Sequence, residues 1–186
     1  MAPLGEHLVG YLSMFLQLGV LTLLTVLAVL VRVSLGRKPL DGWTLGLALN
    51  ACAIAVLAVS ALVKEAGLLP DVPGSTVAYA ALEDLGALAF IAAVRRRRGV
   101  RPVPRVLIAV FALTVCATGA ASLDTEFIDA YRVHSACLAA LLATAAGELL
   151  RIPVRGLGAR LLTVALILLA VDYLHVPLLT LAVGVG

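Results

Sequence analysis

Four side chains combine proton-transfer or charge-binding chemistry with strongly apolar surroundings: Glu83, Asp84, Arg132 and His134. Polar groups inside apolar segments are expensive, which makes them functional candidates by default. A carboxylate in a low-dielectric bundle needs a cation or hydrogen-bond donors. Arg132 is the only arginine at the depth of the carboxylates, so Glu83 or Asp84 is expected to meet it. Tyr79, one turn before Glu83, would join them, and Asp172 and His175 would complete an outward-facing polar pocket, the candidate ligand-binding site. The same residues also read as a structural ion pair locking two helices, with His134 bonded to a carbonyl, or as part of a proton or ion path. Asn50 and Gln17 are expected to make inter-helix hydrogen bonds, and Glu148 to pair with Arg151 or Arg155.

No catalytic motif accompanies these residues. The chain has no GxSxG elbow, P-loop, GxGxxG, HxxxH or HExxH, so no catalytic residue, metal or cofactor is assigned. Lys64 lies at the end of an apolar run, away from where a retinal Schiff base would form. Cys52, Cys116 and Cys137 are isolated from one another and read as buried free thiols.

The segments that hold these groups are membrane spans. Hydrophobic residues make up 62% of the chain and charged residues 13%, with a mean hydropathy of +1.11; soluble domains have about 45–50% apolar and about 25% charged residues. The 186 residues leave room for six or seven spans in one domain and for no separate soluble unit. Apolar runs fall at 8–31, 43–63, 75–94, 105–121, 127–150 and 157–174. Between the third and fourth runs stands Arg95-Arg96-Arg97-Arg98-Gly99-Val100-Arg101, a block that stays cytoplasmic because each arginine at the bilayer centre costs roughly 2.5–3.5 kcal/mol. The other turns alternate with it. The turn with Arg32, Arg37, Lys38 and Asp41 is basic, and so is that with Arg151, Arg155 and Arg160. Those with Glu65 and Asp71, and with Asp124, Glu126 and Asp129, are acidic. The net charge of +3 is therefore topological and does not point to nucleic acid. Trp43 suits the interfacial aromatic belt. The expected fold is an all-α integral membrane bundle of six transmembrane helices, N-terminus outside. The apolar stretch from Val176 onward, with Pro177 near its start, reads as the opening of a seventh helix cut short at the C-terminus.

In the last third, Arg155-Gly156-Leu157-Gly158-Ala159-Arg160-Leu161-Leu162 leads through a Leu/Ala helix to Asp172-Tyr173-Leu174-His175-Val176-Pro177-Leu178-Leu179. This stretch resembles the multi-helix membrane sensor regions that precede bacterial diguanylate cyclase (GGDEF) or sensor histidine kinase domains. Leu85-Gly86-Ala87-Leu88-Ala89-Phe90 followed by the arginine block is similar to their arginine-rich inner loop. His175 follows Asp172 and Tyr173 here, where that pattern places it before them. The resemblance implies a sensory input domain in the bacterial inner membrane. It would detect a small-molecule ligand at the outer face, or the state of the lipid bilayer, and relay it to a cytoplasmic output domain, working as a homodimer. The alternatives are a small multi-span transporter and a lipid-modifying membrane enzyme.

Overall fold

The structure, a computed structural model, describes residues 4–35, 41–68, 73–97, 99–100, 103–124, 127–151 and 157–183. Among them every regular element is an α-helix: α1 (Leu4–Leu35), α2 (Asp41–Glu65), α3 (Pro73–Arg97), α4 (Arg105–Asp124), α5 (Phe127–Leu150) and α6 (Leu157–Val183). Four of them contain stretches long and apolar enough to cross a membrane, at Met14–Val31, Gly42–Glu65, Gly74–Arg96 and Tyr131–Leu150; α4 and α6 contribute the shorter apolar stretches Arg105–Ala121 and Leu162–Leu174. Each expected run is thus a helix, and the chain has the make-up of a helical membrane protein. The turn residues Arg37, Lys38, Asp71, Arg98, Arg101, Glu126 and Arg155 lie outside the described residues.

The end of the chain differs from expectation. No separate element starts near Pro177; α6 continues through it to Val183. Proline has no N–H to give to the carbonyl of Tyr173, four residues earlier, so the turn that carries Tyr173 lacks one backbone bond. Membrane helices tolerate such a proline where neighbouring groups satisfy the freed carbonyl.

The centre of the bundle is α3, which packs against α2, α4 and α5, while α5 also packs against α4 and α6 and, among the described residues, α1 rests on α2. The reason is visible in two matched stripes. On α3, Ala80, Asp84, Ala87, Ile91 and Val94 recur at spacings of four and three residues, and so do His134, Leu138, Leu141, Ala145 and Glu148 on α5; all are at most 5% exposed. This spacing keeps one side of each helix on the contact along its whole length. The two stripes form the core together with Leu142, Leu149, Leu166 and Ala170.

The α2–α3 contact is closer. A Cβ at Gly46 would lie 2.5 Å from the Phe90 ring, one at Gly86 2.5 Å from the Asn50 amide, and one at Gly42 2.7 Å from the Ala93 Cβ. The missing side chains are what allow the helices to approach. Asn50 donates to the Gly46 carbonyl of its own helix at 2.9 Å rather than across to α3. Gln17 sits on the exposed side of α1, not between helices. Trp43, at the start of the apolar stretch Gly42–Glu65, is half-buried with its ring centroid 5.2 Å from that of Phe90. The cysteines are free, but Cys52 and Cys116 are exposed and Cys137 half-buried, so the expected burial does not hold.

Both α2 and α3 end on glycine in the left-handed region, Gly67 at φ 66° and Gly99 at φ 69°. After α2, Gly67 N–H donates to Lys64 O and Leu68 N–H to Val63 O; after α3, Gly99 N–H donates to Arg96 O and Val100 N–H to Arg95 O. These paired bonds satisfy the last carbonyls. They also place Arg95–Arg97 in the final turn of α3, where cations favour the negative end of the helix dipole.

Candidate functional site

Glu83 and Asp84 lie in the N-terminal half of α3, and both are buried. Their neighbour is His134 of α5, also buried, and not Arg132. His134 Nε2 lies 2.9 Å from Glu83 Oε2, and the Tyr173 hydroxyl on α6 donates to Glu83 Oε1 at 3.1 Å. On the far side of the imidazole, His134 Nδ1 is 3.7 Å from Asp84 Oδ1. Three helices therefore meet at one buried carboxylate.

The displacement of Arg132 has a geometric cause. Residues two apart on a helix point about 200° away from each other. Once His134 joins the stripe facing α3, Arg132 is turned from that face; it is half-buried and has interactions of its own. The same rule separates Tyr173 from Asp172. Adjacent residues diverge by about 100°, so Tyr173 faces inward and Asp172 is exposed. His175 lies on α6, with its side chain outside the described residues.

Aromatic rings close the cluster. The edge of Tyr79 meets the His134 ring, with centroids 5.4 Å apart and planes at 67°, and Tyr131 stands one turn before His134 at 6.5 Å and 50°. Of the expected group, the structure brings together Tyr79, Glu83, Asp84 and His134. Tyr173 and Tyr131 join them although the residue pattern did not single them out as ligand-binding. Inside the cluster some polar atoms remain without hydrogen-bond partners: both Asp84 carboxylate oxygens and His134 Nδ1 are buried and unbonded.

A second polar contact ties the same two helices at their other end. Glu148, the last residue of the α5 stripe, is paired with Arg95, the first of the arginine block. Arg151 lies farther away, at 3.8 Å, with its side chain 71% exposed. Of the two partners expected for Glu148, Arg151 forms this ion pair and Arg155 lies outside the described residues; the closer partner, Arg95, comes from α3. The stripe was the available signal, since His134 and Glu148 bracket Leu138, Leu141 and Ala145 at one spacing. Twelve residues of α3 separate Glu83 from Arg95, which is about 18 Å of helix. The two helices are thus bonded near the middle of α3 and again at its C-terminal end.

What this arrangement can do follows from its parts. A carboxylate, an imidazole and a phenol in hydrogen-bond contact can exchange protons and can change which helices they join. Comparison with protein-family models, with curated proteins and with solved structures finds no match.

Proposed function

We propose that this chain is the membrane-embedded input region of a bacterial sensor, lying in the inner membrane with six crossings and its N-terminus outside. The observation that carries the reading is the buried contact of Glu83 with His134 and Tyr173, which joins α3, α5 and α6 at a single point. The alternation of basic and acidic turns supports the orientation, because positive charge collects on the cytoplasmic side. The arginine block, held to α5 through Arg95 and Glu148, then stands at the inner surface.

On this reading the outer cluster receives the stimulus and the inner contact transmits it. A stimulus that favours one arrangement of the cluster shifts the packing of three helices, provided it interacts more strongly with that arrangement. The turn of α6 around Tyr173 is the compliant part, because Pro177 removes one of its backbone bonds. The closed packing of Asp84, His134 and Glu83 favours reception of a signal over turnover of a lipid substrate, which would need an open approach. An output domain in the cytoplasm would require a further crossing after residue 183, and a second copy of the chain would bring two such outputs together.

Sequencing the gene past the codon for Gly186 tests the reading. An in-frame continuation with another apolar segment and a cyclase or kinase domain is the expected result, with loss of signal response in Glu83→Gln while expression is kept. A continuation with no signalling domain, or full response in that variant, would overturn it.

A further inference from the structure

Resting on the sensory reading, we infer that the stimulus received by the cluster is a proton from the outer aqueous side, held by His134 between Glu83 and Asp84. Glu83 Oε2 lies 2.9 Å from His134 Nε2 while its other oxygen accepts from Tyr173, so beside an ionised Glu83 the single proton of a neutral imidazole is on Nε2. Nδ1 is then a bare acceptor. It faces Asp84 Oδ1, another acceptor, across 3.7 Å, and neither atom has a hydrogen-bond partner. Two buried acceptors set against each other lack one thing, a donor proton between them.

Adding one proton supplies it. Whether it settles on Nδ1, giving an imidazolium, or on Asp84, giving a neutral acid, the repelling pair becomes a hydrogen bond of about 2.8 Å. The gap then closes by close to an ångström, and His134 is drawn toward Asp84 while its bond to Glu83 persists. The present gap is too narrow for a water to bridge, because a bridging water needs a hydrogen bond's length on each side. Burial points the same way. The described groove between α2 and α3, lined by Cys52, Val56, Val59, Ser60, Ser75 and Ala78, contains no residue of the cluster. Asp84 and His134 are sealed by packed side chains, and a proton can be passed to them along the hydrogen-bonded chain of Tyr173, Glu83 and His134 without an open cavity.

The groups that set the response come from each helix around it. On α3 these are Tyr79 and Glu83, on α5 Tyr131 and Arg132, and on α6 Tyr173 together with the exposed Asp172. Among the described residues α2 and α4 place their ionisable side chains away from it, with Lys64, Glu65, Arg105 and Cys116 all exposed. His7 and the His175 side chain lie outside what the structure describes.

The test is 15N NMR of the full chain, labelled at histidine and held in lipid nanodiscs, recorded between about pH 5 and pH 9. The chain has three histidines, so His134→Gln assigns the signals. The expected result is a His134 spectrum with a non-protonated Nδ1 at the alkaline end that converts on acidification to a form with Nδ1 in a hydrogen bond. That hydrogen-bond signature should vanish in Asp84→Leu, which offers Nδ1 neither donor nor acceptor, with Nε2 still bonded to Glu83. A His134 spectrum that is unchanged across the range overturns the inference from the wild-type protein alone, as does a conversion that is identical in Asp84→Leu. The sensory reading fails separately. Spin-label distances among α3, α5 and α6 that stay constant while His134 converts would remove signalling and keep the proton site.

Discussion

At the scale of single residues, the chemistry is decided by which side chain shares a face with which. His134 and Arg132 are two positions apart, and only one of them can face α3. Removing the partner of a buried charge costs on the order of 3–5 kcal/mol, because the remaining charge stays desolvated. His134→Ala is therefore expected to lower stability by about 3 kcal/mol, measured by denaturant unfolding in detergent. Arg132→Met should cost clearly less and leave the Glu83–Tyr173 bond in place. Equal losses in the two variants would mean that the imidazole is not the principal partner. The sequence made Glu83, Asp84, Tyr79 and His134 conspicuous, since ionisable groups are rare in such runs. It made the pairing look different because charge is legible in a sequence whereas direction around a helix has to be counted. Counted from Glu148 backward in steps of three and four, the α5 stripe reaches His134 and passes over Arg132.

At the scale of helices, two contacts set the geometry, one made by what is absent and one by charge. Gly46 lies against the Phe90 ring, and a methyl group there has to displace it. Gly46→Ala is expected to destabilise the bundle by about 1–3 kcal/mol, with partial recovery in the Gly46→Ala/Phe90→Leu double variant. Gly19→Ala, where a Cβ would meet nothing within 4 Å, is the control that should be neutral or slightly stabilising. At the C-terminal ends of α3 and α5, Glu148→Gln should weaken the contact between them. Arg95→Ala should do the same, whereas Arg96→Ala, at an exposed position, should leave unfolding unchanged. Losses shared equally by Arg95 and Arg96 would contradict a specific pair. The helices themselves were legible nearly to their ends, because apolar length and the Gly67 and Gly99 stops are written in the residues. The continuation of α6 was not. Pro177 reads as a helix start in isolation, and only its surroundings decide that the helix passes through.

At the scale of the whole molecule, the alternation of charge in the turns supplies an orientation that a bundle of helices by itself lacks. In a variant with its natural cysteines replaced, Leu68→Cys should react with an impermeant maleimide on intact cells. Val100→Cys should react only after the membrane is opened. The reverse pattern would invert the topology and place the Glu83 cluster toward the cytoplasm. Six helices and their order could be read from composition and turn residues alone. Which helices form the centre could not, because α1 is more apolar than α3 and yet lies outside it, and it is the polar residues of α3 and α5 that require partners.

The most direct measurement is a double-mutant cycle between Glu83 and His134, using Glu83→Met, His134→Leu and the pair together, read as unfolding free energy in one detergent. A bonded buried pair predicts that the double variant is more stable than the sum of the single losses, with a coupling of about 2 kcal/mol. Single losses that add to within about 0.5 kcal/mol would show two independent side chains. In that case the join between α3, α5 and α6 would have to be sought elsewhere.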